Sequence, residues 1–143
     1  MSDLARMVDR VRVVDEALSW KGTPYHHMGR VKKAGVDCAA YLAEVYERTG
    51  YLPHVEMPFY PMDWHLHRSE ELLLNRVRAY AKQVDVPLLG DILLWKMGRV
   101  FCHGGIFIGD NCVMHVMLNS GCAIGNLNDP YLAARQRMCF SVL

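Results

Sequence analysis

The apolar residues of this chain change period once, near Pro87, and that change dictates a mixed architecture. Before it they recur at helical spacing; after it they gather into short strand-like runs. A chain with helices first and strands afterwards folds as α+β, here with N-terminal helices packed on a mostly antiparallel sheet formed by the C-terminal half. Its 143 residues, 52% of them hydrophobic, match an ordinary domain of about 150 residues. Residues 1–143 are therefore expected to form a single domain without a linker.

Residues 3–19 place Leu4, Val8, Val11 and Leu18 on one face, with Arg6, Asp9, Arg10 and Glu16 largely elsewhere, which predicts an amphipathic helix buried through those four. Gly22 and Pro24 break it. The basic loop through Arg30, Lys32, Lys33 and Gly35 reads as solvated surface leading to Asp37. Asp37 is placed as an N-cap, and a helix of about three turns starts at Cys38. Cys38, Leu42, Val45 and Tyr46 point inward, Glu44 and Arg48 can pair at i,i+4, and Gly50 marks the end.

Residues 51–65 carry Pro53, Pro58 and Pro61 among Phe59, Tyr60 and Trp64, so they form an ordered aromatic loop. A further helix turns Leu66, Leu73, Val77 and Tyr80 inward. Strands are predicted over 91–95, 99–108, 112–118 and 137–143, with Gly109-Asp110-Asn111 as a hairpin turn.

Cys38, His103 and His115 supply a nucleophilic thiol, a base and an orienter. The thiolate is the attacking species, an imidazole takes its proton and later delivers it to the leaving amine, and a second polar group holds that imidazole's tautomer. At the first turn of a helix the sulfur meets unpaired N–H groups and the positive end of the dipole, which stabilise an anion and form part of an oxyanion hole. The register of the 99–108/112–118 hairpin tests this grouping. A three-residue loop sets Ile108 opposite Cys112, hence Gly105 opposite His115, and leaves His103 and His115 as diagonal neighbours on one face. A two-residue loop separates them, so the chemistry requires an odd loop or a bulge. Gly104 and Gly105 would leave the flank of His103 open to a substrate backbone.

Sixteen basic against fifteen acidic residues give no electrostatic case for nucleic acid or an anionic membrane. No stretch approaches the ~18 apolar residues of a membrane span, and the charged N-terminus lacks the apolar core of a signal peptide. A soluble chain synthesised in the cytoplasm is expected, without membrane insertion. Five cysteines without a secretion signal argue for reduced thiols, with Cys102, Cys112 and Cys122 as strand core. The spacings of His26, His27, His54, His65 and His67 match no standard ligand pattern, and His65 and His67 point apart on a helix, so no metal site is expected. Tyr25 either packs or contacts substrate, Trp64 either packs or borders the cleft, and Asp37 is a cap that can also bind.

A cysteine at a helix start, His103-Gly104-Gly105-Ile106 on a strand, His115 twelve residues after His103, Gly22-Thr23-Pro24-Tyr25 upstream and Gly90-Asp91-Ile92-Leu93 between them together resemble the NlpC/P60 family of papain-like cysteine peptidases. The resemblance runs from about residue 17 to 118. It implies a papain-like core and hydrolysis of peptidoglycan stem peptides, commonly between D-glutamate and a diamino acid, with no cofactor. By position it makes Cys38 the nucleophile, His103 the base and His115 the third member, with Tyr25 and Asp37 near the entering end of the substrate. Residues 26–30 and 63–67 look most like the variants of bacteriophage tail modules, which implies a tail-associated cell-wall hydrolase with tail proteins as partners. The family usually reads Asp-Cys-Ser-Gly where this chain has Asp37-Cys38-Ala39-Ala40, which leaves specificity open. The alternatives are a structural tail component with a vestigial site, and a thioester-forming amidase or acyltransferase.

Overall fold

Asp37 begins the element that carries the thiol, and it does so by capping. Its Oδ1 accepts the Ala40 N–H at 2.9 Å, the contact that orders the first turn of a helix. The structure is a computed structural model, and it describes residues 2–64 and 69–143. In chain order the elements are α1 (Asp3–Leu18), β1 (Arg30–Val31), β2 (Gly35–Val36), α2 (Cys38–Arg48), α3 (Leu72–Tyr80), β3 (Lys82–Val84), β4 (Ile92–Met97), β5 (Val100–Gly109), β6 (Cys112–Met117), β7 (Gly121–Asn126), α4 (Pro130–Ala133) and β8 (Arg137–Ser141). β1 and β2 form a small hairpin, and the other six strands make one antiparallel sheet in the order β3-β8-β4-β5-β6-β7. The α+β reading holds.

β4 explains why the sheet forms the centre of the molecule. Ile92 and Leu94 face the helices, in one cluster with Val13, Leu42, Val45 and Leu73. Leu93 and Trp95 face the other way, into a second cluster with Val113, Leu127 and Leu132. A strand buried on both faces reads as a continuous apolar run, as this one does. Gly104 lies on the helix side, where an added Cβ would meet Leu42 and Leu94 at 3.0 Å each. The glycine thus lets α2 approach β5 closely.

α1 is a helix over the expected span, but of the four residues assigned to its buried face only Leu18 packs against the core, and the main buried face is the opposite one. Leu4 is 74% exposed and Val8 and Val11 are also exposed, whereas Val13 and Ala17 are fully buried. At about 100° per residue the two sets lie roughly half a turn apart. Specific partners decide the face: Arg10 pairs with the buried Asp91 at 2.8 Å, and Val13 packs against Gly90. The basic loop is likewise not simply solvated. Arg30 binds Glu44 and Glu47, and Lys32 binds Glu16.

α2 matches the reading closely, including the Glu44–Arg48 pair and a left-handed Gly50 beyond its end. α3 buries Leu73 and Val77, together with Leu74, but leaves Tyr80 exposed. Leu66, assigned inward, lies outside the described residues, as do His65 and His67. Two strands of the sheet, β3 and β7, were not expected. Gly121-Cys122-Ala123-Ile124-Gly125-Asn126 is poor in β-branched and aromatic residues, so only pairing along β6 makes it a strand.

β5 carries a bulge at each end. On the β4 side Trp95 faces His103 and Lys96 faces Phe101, leaving Cys102 as the extra residue. On the β6 side Phe107 faces Val113 and Gly109 faces Cys112, leaving Ile108 extra. The loop itself is two residues, Asp110 and Asn111, both with positive φ, the backbone of a tight hairpin. Ile108 is therefore not opposite Cys112 as expected. The bulge still restores the needed register, with Gly105 opposite His115. Among the described residues no helix is long and apolar enough to cross a membrane.

Candidate active site

The register of β5 and β6 brings the two predicted histidines together. His103 Nε2 lies 2.9 Å from His115 Nδ1, and both rings are buried, at 9% and 5% exposure. Trp95, opposite His103 on β4, covers it with ring centroids 5.6 Å apart. Two glycines make room for His115. A Cβ on Gly105 would stand 3.0 Å from its Cβ and 2.7 Å from the Met114 carbonyl, and one on Gly125 would stand 2.5 Å from its Nε2. The expectation that Gly105 leaves open space for substrate is corrected: neighbouring atoms already fill it.

Cys38 opens α2, as expected, and its sulfur reaches the backbone of β5 at the first bulge. The thiol donates to the Cys102 carbonyl at 3.2 Å. Bulges re-aim the chain locally, and here the unopposed residue meets the thiol. The expected net activation by the helix start is not found. Burial pushes the thiol up to about 12, with the Asp37 carboxylate and Cys102 acting in the same direction, while the N–H groups of Gly104 and Ala39 favour the thiolate and are outweighed. Burial pulls His103 down to about 3, helped by His115 and Arg135. His115 is also lowered, mainly by burial, with Asp129 opposing. The resting pair is neutral thiol and neutral imidazole.

Both groups open onto one cleft of about 560 Å³, whose lining includes Tyr25, Asp37, Tyr60, Trp64, Asn119 and Tyr131. Five of the six predicted site residues therefore border a single space, and the sixth, His115, stands behind His103 at hydrogen-bond distance. Tyr25 is half-buried, and burial with the neighbouring Asp37 raises its phenol to about 12, so it enters the cleft as a hydrogen-bond donor. Asp37 has less to offer a ligand. Besides Ala40, its carboxylate accepts the Met28 N–H at 2.7 Å and the Tyr60 hydroxyl, so its cap role dominates. Trp64 is buried, donates to the Glu70 carbonyl at 2.8 Å and stands edge-on to Tyr60.

Tyr60, the Cys102 carbonyl and Gly125 were missed by sequence reasoning. Tyr60 was visible as part of an aromatic loop, but its partner Asp37 is 23 residues away. A backbone carbonyl has no sequence signal at all. Of the other described histidines, His26 Nδ1 donates to the His27 carbonyl, His27 Nε2 donates to the Tyr60 carbonyl, and His54 pairs with Glu47 and Glu56. Among the described residues no group of three His, Cys, Asp or Glu is arranged to hold a metal.

The family model described as NlpC/P60 matches residues 22–140. The Escherichia coli (strain K12) protein named Murein DD-endopeptidase MepS/Murein LD-carboxypeptidase is 29% identical over 143 residues, spanning 99% of this chain and 68% of that protein. A Haemophilus influenzae probable endopeptidase is 27% identical over 114 residues, spanning 78% of this chain and 62% of its own length. Among solved structures, the NlpC/p60 domain of the peptidoglycan hydrolase SagA superposes with a TM-score of 0.65 at 18% identity, covering 92% of this chain and 97% of that one. A Staphylococcus aureus protein of the NLP/P60 family gives 0.67 at 18% identity, covering all of this chain and 43% of that one.

Proposed function

The chain belongs to the NlpC/P60 family of cysteine peptidases, and we propose that it hydrolyses amide bonds in peptidoglycan stem peptides with Cys38 as nucleophile, His103 as base and His115 as orienter. The observation that carries this reading is the 2.9 Å contact between the two rings beside a cleft that also holds the thiol.

The neutral resting pair sets the order of events. Substrate enters, the thiol proton passes to His103 Nδ1, and the sulfur attacks the scissile carbonyl as that proton leaves. The N–H groups at the start of α2 face the developing oxyanion. The C–N bond breaks as His103 returns its proton to the amine. Water, deprotonated by His103, then attacks the thioester and releases the acid and the thiol. Burial makes charge separation costly before substrate arrives, so dipoles of bound substrate have to assist the transfer.

The D-glutamyl–diamino acid bond is the proposed target, on the strength of the motif resemblance. Mass analysis of products from defined muropeptides distinguishes it from the DD- and LD-bonds named for the Escherichia coli relative. Ala40 packs in the core, and Ala39 lines a side pocket next to Cys38. The Ala39-Ala40 departure thus bears on substrate selection more than on the nucleophile. Residues 26–30 and 63–67 are what support a setting in a bacteriophage tail. Replacing Cys38 with Ala should abolish release of stem-peptide fragments from purified peptidoglycan and leave the fold intact; retained release would refute the assignment.

A further inference from the structure

A side pocket of about 100 Å³ opens from Cys38 away from the histidines. Among the described residues its walls are almost wholly apolar, with Met57, Phe59, Trp64 and Leu72 among them, and the one cation, Arg76, stands on the α3 side. Arg76 is half-buried. Among the described residues it has no hydrogen-bond or ion-pair partner, whereas Arg10 and Arg30, buried to a similar class, both hold carboxylates. A guanidinium drawn partly out of water and left unpaired is costly unless something negative joins it. Its planar fork matches a carboxylate bidentately, and apolar walls strengthen that attraction by keeping water away.

We propose that this pocket is a carboxylate subsite: the substrate residue at the scissile amide bears a free carboxylate that pairs with Arg76, while its carbon skeleton lies against Phe59, Trp64 and Leu72. Arg76 is then a specificity-determining residue. The subsite rests on the reading of Cys38 as the reacting thiol, and it selects peptides with an uncapped acid beside the cleaved bond over their amidated counterparts. The family pattern does not announce it, because Arg76 lies between the motifs that carry the resemblance.

Two small alkylating reagents probe the pocket without relying on turnover. Iodoacetate and iodoacetamide both form a carbon–sulfur bond at Cys38 with loss of iodide, but only the first brings a carboxylate. Rates at Cys38, followed by peptide mapping at pH 8.5, should give an iodoacetate-to-iodoacetamide ratio about tenfold higher in the wild-type protein than in Arg76→Met. Arg76→Lys should keep part of the preference, and unfolding midpoints verify that each variant is folded. A matched pair of stem peptides, free acid and amide at the residue beside the cleaved bond, extends the test. Arg76→Met should lower kcat/KM about tenfold on the acid alone. A ratio indifferent to Arg76, or equal losses on both peptides, would overturn the subsite. A ratio that responds to Arg76 in a protein that cleaves no peptide would instead refute the peptidase reading and leave the subsite standing.

Discussion

His103 Nε2 and His115 Nδ1 are 2.9 Å apart, so one proton lies between two nitrogens and only one ring can donate it. A base at His103 Nδ1 requires that proton on His103 Nε2. His115 Nδ1 is then the acceptor, and the His115 proton sits on Nε2. The imidazolium that the proposed attack would form keeps the same hydrogen bond, now charge-assisted.

Removing the acceptor should therefore cost turnover more than binding. His115→Ala is expected to lower kcat about 100-fold with KM little changed. His115→Asn, whose amide oxygen can replace Nδ1 as acceptor, should recover a large part. Steady-state kinetics on a defined muropeptide reads both values; equal losses in the two variants would deny the tautomer role.

Gly125 should act on the same ring without touching substrate. A Cβ there would lie 2.5 Å from His115 Nε2, so Gly125→Ala must displace the imidazole. Overpacking of this kind costs about 1–3 kcal/mol. The expected outcome is a kcat loss of at least about tenfold in a protein that still unfolds cooperatively in urea.

Acid should destabilise the fold through His103. Its folded value of about 3 lies below the unfolded 6.5, so the unfolded chain binds a proton first as pH falls. Its contribution is complete above pH 6.5 and is lost progressively from there toward pH 3, at about 1.4 kcal/mol per pH unit. His115 shifts in the same direction. His103→Gln should flatten the decline in urea midpoint between pH 6.5 and pH 5, and an unchanged slope would contradict the burial of a neutral ring.

Asp37 should matter to stability before it matters to substrate. It is 3% exposed and accepts from Ala40, Met28 and Tyr60. Asp37→Ala leaves two backbone N–H groups without their acceptor and should cost about 2–4 kcal/mol. Tyr60→Phe removes one donor and should cost about 1 kcal/mol. Chemical denaturation of both variants checks the order.

Much of the site was legible because its signals are local. Asp37 before an apolar helical pattern is a cap wherever the helix packs, and the alternation of residues 103–115 places both histidines on one face once the register is allowed a bulge. The choice of a bulge at Ile108 over a three-residue loop was not legible, since both satisfy the same alternation. Nor was the buried face of α1. Leu4, Val8 and Val11 form the more apolar stripe, yet Arg10 and Val13 meet Asp91 and Gly90, more than seventy residues away.

The order of periods along the chain determined by itself that helices would pack on an antiparallel sheet, that the thiol would begin a helix and that two histidines would share a hairpin. Only the tertiary structure decided the protonation of that site, the glycine that admits His115 and the unpaired arginine beside the thiol. Helical and strand periods depend on neighbours in sequence, whereas desolvation and close approach depend on atoms delivered by distant segments. At Cys38 those atoms reverse the local signal: the helix start favours the thiolate, and burial keeps the thiol.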